Sequence, residues 1–192
     1  MKYLLGLALV LAATTVWAEE EIPEYATGSF NLMRQFNVSM VSTLEGKKPY
    51  GSVMPYCLDE KGRPVVYISD LAVHTDNINK NPNSSVMVFK PDAKGNVFNG
   101  SRVTLSGKFR KVAWDKKADE KEHDKLAKLY VKEHPDAKQL LDFADFNFYV
   151  LEISSVYYIG GFGEIGSVEV KEYERAAARR RALIDPKPKK KQ

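Results

Sequence analysis

Three chemically distinctive residue types are scarce in this sequence, which has one Cys, two Trp and three His among 192 residues. A single cysteine cannot form an intramolecular disulfide, so the fold has to rest on a hydrophobic core. Cys57 lies in a strand-like run, where we expect a buried, small apolar side chain; a catalytic thiol is the alternative. We expect His123 and His134 at the surface, and the sequence predicts no metal site and singles out no catalytic residue.

Excess charge of one sign is also small. The net charge is +4, and much of the positive excess lies at the C-terminal end of the chain, which does not indicate nucleic-acid binding. Hydrophobic residues make up 44% of the sequence and charged residues 28%, the usual proportions for a soluble globular protein. Ten Tyr and nine Phe suit a β-rich fold.

Long apolar runs are missing after residue 18. Within residues 1–18, Lys2 precedes an apolar run over 4–16, and the segment ends in small residues at Ala18, the pattern of a secretory signal peptide. The run is too short for a comfortable membrane span. We therefore expect an exported protein, secreted or periplasmic, that starts near Glu19; a retained N-terminal anchor is the alternative.

The rest of the sequence predicts a folded domain over 19–173 and a basic tail over 174–192. Within the tail, residues 176–183 favour a helix, and we expect the tail as a whole to be solvated and frayed. Attraction of its positive charge to an anionic surface is the alternative.

Within the domain, β-branched and alternating residues predict strands, and longer apolar periods predict helices over 24–35 and 115–133. A little more extended chain is expected over 168–173. The predicted strands indicate a mainly β fold, an antiparallel barrel with flanking helices; they cover 38–44, 51–58, 63–69, 85–90, 102–114 and 147–159.

The stretch from Tyr67 to Pro82 predicts a strand that turns into one short helix. Ser69 or Asp70 could cap a helix that begins at Leu71 and has Leu71 and Ile78 on one face, and Pro82 should end it. The free N–H groups of such a helix, with hydroxyl or imidazole side chains beside them, suit a phosphate. Ordinary capping of a surface helix is the alternative.

A set of motifs, specific in its order and spacing, resembles a known family over roughly residues 26–173. The motifs are Gly51-Ser-Val-Met-Pro-Tyr56, Asp59-Glu-Lys-Gly-Arg-Pro64, Tyr67-Ile-Ser-Asp-Leu-Ala-Val-His-Thr-Asp-Asn-Ile78, Asn81-Pro82, Arg102-Val-Thr-Leu-Ser-Gly107, His134-Pro135, Asp142-Phe-Ala-Asp-Phe-Asn-Phe-Tyr149 and Tyr158-Ile-Gly-Gly-Phe-Gly163. The chain resembles the pyridoxamine 5'-phosphate oxidase-like split barrels. Its most similar branch contains the HugZ-type bacterial heme-utilisation proteins and the secreted CREG glycoproteins.

The resemblance implies a six-stranded antiparallel split barrel, usually a homodimer, that holds flavin mononucleotide (FMN) at the dimer interface in the members that bind it. His74 stands where the oxidases often have a lysine. The phosphate would be met at the strand-to-helix corner, the flavin ring would lie along the second strand, and one later polar side chain would contact the ring. The implied cofactor residues are Ser69, His74, Thr75 and Asn77 at the corner, Ser52, Val53 and Met54 on the strand, and Arg102.

Three functions follow from the resemblance. The first is an exported, FMN-binding, flavin-dependent oxidoreductase, in which the flavin carries the redox chemistry. The second is a CREG-like secreted dimer without enzymatic activity, in which the corner is a structural remnant. The third is a heme-binding or heme-utilisation protein; heme ranks behind FMN because the sequence singles out no axial ligand.

Overall fold

The computed structural model describes residues 21–114 and 116–184, so the signal peptide predicted over 1–18 lies outside the described residues. None of the described helices is long and apolar enough to cross a membrane. In the described residues, four α-helices and one 3₁₀ helix surround the sheet; they are α1 (Glu24–Gln35), α2 (Val73–Lys80), α3 (Glu120–Glu133), the 3₁₀ helix (Pro135–Asp142) and α4 (Val170–Ile184).

The described strands form one antiparallel sheet in the order β2-β1-β5-β6-β7-β4-β3, with β8 paired to β7. The sheet curls into a half-barrel, which confirms the mainly β split-barrel fold. Its strands are β1 (Val38–Glu45), β2 (Lys48–Pro55), β3 (Cys57–Leu58), β4 (Pro64–Ser69), β5 (Asn83–Lys90), β6 (Ser101–Val112), β7 (Phe146–Gly161) and β8 (Glu164–Val168).

The strand count is eight in the described residues rather than six. The run predicted over 51–58 splits because Tyr56 and Cys57 are both buried, which breaks the alternation. The glycines after Ile159 do not end the sheet: Gly163 adopts a φ of 86°, and the chain turns there into β8. Pro55 lies at the end of β2, an edge strand, as proline requires.

Two hydrophobic clusters hold the helices to the sheet. In the first, α1 and α4 cover the inner face of the sheet, with Phe30, Leu105 and Tyr173 buried between them. In the second, α3 packs against β3, β4 and the start of β7 through Leu126 and Phe148. The apolar period that predicts a helix over 115–133 corresponds to the buried Leu126 and Tyr130, although α3 begins at Glu120.

The predicted tail boundary at Glu174 falls inside α4; residues 178–183 are exposed, whereas Ala176 and Ala177 are not. The helix begins at Val170, and the extended chain predicted over 168–173 is wrong beyond Val168. Ala176 and Ala177 are buried against the first cluster. The small side chains that resembled a simple helical tail are what let α4 approach α1 closely.

Candidate functional site

The corner between β4 and α2 forms where the sequence predicts it, but its helix begins later. The residue before the helix is Ala72, which has no side-chain cap, and α2 begins at Val73. Leu71 precedes the helix and is 88% exposed, so it does not share a face with the buried Ile78. The end of the helix is as predicted, because Lys80 is followed by Asn81-Pro82.

The Ser69 hydroxyl is already engaged. It donates a hydrogen bond to the Asp145 carboxylate and accepts one from the backbone N–H of Leu71, at 3.0 Å. A serine hydroxyl has one hydrogen to donate, so Ser69 has none left for a phosphate oxygen in this conformation. Its observed role is to hold the turn that leads into α2.

Two carboxylates surround the same turn. The Asp70 carboxylate accepts hydrogen bonds from Lys111 Nζ at 3.2 Å and from Asn147 Nδ2 at 3.1 Å. Asp145 adds a second negative charge beside Ser69. The carboxylates of Asp70 and Asp145 outnumber the single positive charge of Lys111 at this turn. They disfavour binding of a dianionic phosphate there, because like charges repel.

The remaining corner residues differ in their partners. Thr75 is 0% exposed, and its Oγ1 has no hydrogen-bond partner among the described residues. Burial lowers the pKa of His74 below its ordinary value, so the imidazole is neutral at pH 7 and supplies no positive charge. Asn77 donates to Thr43 Oγ1 on β1 at 3.2 Å and joins α2 to the sheet.

The strand residues implied as flavin contacts point to two sides of the sheet. Ser52 and Met54 face inward, whereas Val53 faces outward and is 71% exposed. Arg102 lies on β6 opposite Ile159, and Ser69 lies on β4 opposite Phe146, so they sit at opposite ends of β7. One chain therefore does not bring Arg102 to the Ser69 corner.

An exposed sheet surface, called here the outer face, was not anticipated from the sequence. Strand pairing aligns its residues in three rows, since directly opposed residues share a face. The first row is small and polar, with Gly51, Ser42, Ser85, Ser106 and Ser155; the second is mostly apolar, with Val53, Met40, Met87, Thr104, Tyr157 and Ser167; the third holds Phe89, Arg102, Ile159 and Ile165.

The outer face is accessible and carries one isolated positive charge. Met40 is 42% and Tyr157 46% exposed, and contiguous exposed apolar side chains are typical of an interaction site. The Arg102 guanidinium has no ion pair or hydrogen bond in residues 21–114 and 116–184. The alternation of residues within a strand predicts which of its side chains face outward. Only the pairing register shows which outward side chains of different strands lie side by side.

The other singled-out side chains are structural. Burial, with the nearby carboxylates Glu133 and Asp59, raises the pKa of Cys57 to about 12, which keeps the thiol protonated and agrees with a buried apolar residue. His134 is half-buried and its Nε2 lies 2.9 Å from the Tyr56 carbonyl oxygen. His123 packs its ring against Phe148. Neither histidine is the surface residue that the sequence predicts.

Comparison with known proteins places the chain among split barrels. A family model described as CREG, beta-barrel matches residues 21–175. The chain is 32% identical over 153 residues to the chloroplastic, non-canonical heme oxygenase HOZ of Arabidopsis thaliana, a match that covers 77% of this chain and 43% of the relative. The chain thus spans less than half the length of this relative.

Two solved structures illustrate the range of similar folds. A heme-binding protein from Mycobacterium smegmatis has a TM-score of 0.71 and 26% identity, covering 85% of this chain and 69% of the other. A putative pyridoxamine 5'-phosphate oxidase from Listeria innocua has a TM-score of 0.56 and 14% identity, covering 72% of this chain and 100% of the other. The second likeness concerns the fold alone.

Proposed function

The chain belongs to the CREG β-barrel family, and from this premise we propose that it is a heme-binding protein that acts as a homodimer. The observation that carries the proposal is the outer face, where an exposed apolar row lies beside the unpaired Arg102. The relatives named as a heme oxygenase and a heme-binding protein support heme ahead of FMN.

The residues of the outer face fit a porphyrin chemically. A flat apolar ring system suits the row of Met40, Met87 and Tyr157, and a propionate carboxylate suits Arg102. Thioether and phenolate groups are both known axial ligands of heme iron, so the apolar row also supplies candidate ligands. Bound heme would supply the iron chemistry, and the protein would bind and orient it.

A second copy of the chain is the partner that we propose for the rest of the outer face. Its rows bring together a serine-rich strip and a mostly apolar strip. A two-fold dimer presents the same patch from both subunits, so an apolar row can cover its own counterpart. Heme held between two such faces would be shielded from water on both sides.

FMN is the second candidate, and Thr75 is the observation that favours it. Its fully buried hydroxyl lacks a partner among the described residues, and a phosphate oxygen would supply one. The engaged Ser69 and the neutral His74 weigh against that site. Flavin-dependent oxidoreductase activity therefore ranks below heme binding here, the reverse of the order suggested by the sequence resemblance.

Export is proposed on the N-terminal sequence alone. The pattern over residues 1–18 predicts cleavage after Ala18 and a mature chain that begins at Glu19. N-terminal sequencing of the protein recovered from the periplasm or medium of an expressing cell would test it. An intact Met1 in the recovered protein would contradict the proposal.

The cofactor test is a titration of the purified protein with hemin and, separately, with FMN. We expect a saturable Soret band with hemin at one heme per subunit or per dimer, and weaker binding of FMN by flavin fluorescence. Arg102→Gln should weaken hemin binding about tenfold, because it removes the cation offered to a propionate. Arg179→Gln removes an exposed positive charge on α4 and should leave hemin binding unchanged.

The dimer is tested in the same preparations by light scattering after size exclusion. Met40→Glu places a charge in the apolar row and should give monomers with much weaker hemin binding. Tight FMN binding without a Soret band would overturn the heme proposal in favour of the flavin. A stable dimer that binds neither cofactor would favour the CREG-like, non-enzymatic alternative.

A further inference from the structure

A cavity of about 510 Å³ lies between α1, β3, α3 and α4, separate from the outer face and from the α2 corner. This volume is within the usual range of small-molecule sites. None of the residues that line it belongs to the three rows of the outer face. A function for this cavity would therefore be additional to cofactor binding.

The inner wall of the cavity is apolar. Phe30 and Met33 of α1 are buried at its base, and Leu129 of α3 and Leu58 of β3 are half-buried beside them. Removing an apolar ligand surface from water against such a wall is favourable. The body of a bound molecule would accordingly be hydrocarbon or aromatic.

The rim of the cavity carries more unpaired positive than negative charge. Arg34, Lys132 and Arg180 line it, are exposed, and have no ion pair with a described carboxylate. Their charges come from three different helices, α1, α3 and α4. Tertiary packing, rather than a local run of basic residues, therefore collects them at one opening.

The carboxylates at the same rim are largely neutralised. Glu60 pairs with Lys125 at 2.8 Å and with Arg181 at 3.2 Å, and the hydrogen bond from Lys125 lowers the pKa of Glu60. Asp59 pairs with Arg63 at 2.7 Å. Glu133 is the rim carboxylate that has no ion-pair partner within the described part of the chain.

We propose that this cavity binds an amphipathic anion, with its apolar body against α1 and β3 and its carboxylate at Arg34, Lys132 and Arg180. The ligand class is a single-chain or small aromatic carboxylate rather than a phosphate or a nucleotide. The apolar wall requires a hydrophobic body, and the rim cations stand on three separate helices, none of them in a first turn, whereas phosphate sites form at a helix N-terminus.

The experiment is calorimetric titration of the full chain with dodecanoate below its micelle concentration, with dodecyltrimethylammonium as the probe of opposite charge. We expect saturable binding of dodecanoate at one per chain, weakened by added salt, and no saturable binding of the cation. Equal binding of both probes, or no binding of dodecanoate, would overturn the proposal.

Two triple variants distinguish the effect of the rim charges on dodecanoate binding from the effect of surface charge in general. The triple variant Arg34→Gln, Lys132→Gln, Arg180→Gln should weaken dodecanoate binding about tenfold. The matched triple Lys121→Gln, Lys128→Gln, Arg179→Gln removes three exposed charges from α3 and α4 outside the cavity and should change binding less than about twofold. Equal losses in the two triples would overturn the assignment.

Two further variants test the direction of the effect. Glu133→Gln removes the unpaired rim carboxylate and should tighten dodecanoate binding. Leu129→Trp should fill the cavity and weaken dodecanoate binding. Circular dichroism checks that this variant is folded. Hemin binding on the outer face should be unaffected by the rim variants, which distinguishes failure of this proposal from failure of the heme proposal.

Discussion

Ser69 donates its hydroxyl hydrogen to the carboxylate of Asp145, a residue 76 positions further along the chain. This bond occupies the side chain to which the family resemblance assigns a flavin phosphate. It also brings a negative charge to the place where a phosphate would need positive charge. The outer face and Arg102 therefore become the stronger candidates for a ligand site.

Ser69 and Thr75 should respond in opposite directions to loss of their hydroxyls. Ser69→Ala removes two hydrogen bonds and should lower the free energy of unfolding by about 1–3 kcal/mol. Thr75→Val removes a buried, unpartnered hydroxyl at nearly constant volume and should raise it by about 1 kcal/mol. Urea denaturation of the cofactor-free protein measures both.

The same two variants also test the flavin alternative. If a phosphate oxygen is the missing partner of the Thr75 hydroxyl, Thr75→Val should weaken FMN binding and Ser69→Ala should not. A loss of FMN binding in Ser69→Ala at unchanged fold would contradict the structural role given to Ser69.

Gly107 is predicted to be intolerant of any side chain. A Cβ atom at this position would lie 2.1 Å from the Glu152 carbonyl oxygen, at the irregular step of the β6–β7 pairing. Gly107→Ala must push two backbones apart and should cost about 2–3 kcal/mol of unfolding free energy. Gly51→Ala on exposed β2 meets no atom within 4 Å and should be close to neutral. Similar midpoints for the two variants would contradict the packing described.

His123 should make the protein less stable as the pH falls. Burial lowers the pKa of His123, with a smaller opposite effect from the charge of Asp124, and its Nε2 has no partner among the described residues. The unfolded chain therefore binds the proton first. Stability is fully present above the ordinary histidine pKa of about 6.5 and is lost as the pH falls through the lower, folded-state pKa.

Denaturant midpoints between pH 7.5 and pH 5 measure this effect. His123→Phe should lose less stability over that range than the parent, with His74 contributing what remains because burial lowers its pKa too. Asp124→Asn removes the charge that raises the His123 pKa and should deepen the loss. Identical pH profiles for all three proteins would show that His123 does not titrate as described.

The packing of α4 predicts different outcomes for two adjacent alanines. Ala177 is 3% exposed and belongs to the first hydrophobic cluster, whereas Ala178 is exposed. Ala177→Glu buries a charge and should cost about 3 kcal/mol or more of unfolding free energy. Ala178→Glu should cost less than about 0.5 kcal/mol. Thermal denaturation of both variants measures the difference. Equal stability would contradict the burial of Ala177 and support the solvated tail that the sequence predicts.

Much of the fold could be read from neighbouring residues. The bounds predicted for α1 are those observed, the end of α2 before Asn81-Pro82 is as predicted, and the buried side of β6 contains Val103, Leu105 and Phe109. Each of these features depends on side-chain periodicity or on the missing N–H of proline, which act within a few residues. The order and spacing of the motifs predicted the family and its split-barrel fold.

Patterns within short stretches of sequence could not predict the candidate site, because its residues are far apart in the chain. The apolar row exists only through the register that sets Met40 opposite Met87 and Thr104 opposite Tyr157. The Ser69–Asp145 bond and the three-helix rim of the cavity likewise join distant segments.

The sequence by itself determined the family and the position of most strands and helices, because periodicity, capping and breaking residues act locally; β8 and the start of α4 were not among them. Tertiary structure decided which outward side chains share a surface, which hydroxyl is already occupied and which basic residues share an opening. Those outcomes depend on strand register and helix docking, which contacts between distant parts of the chain determine together.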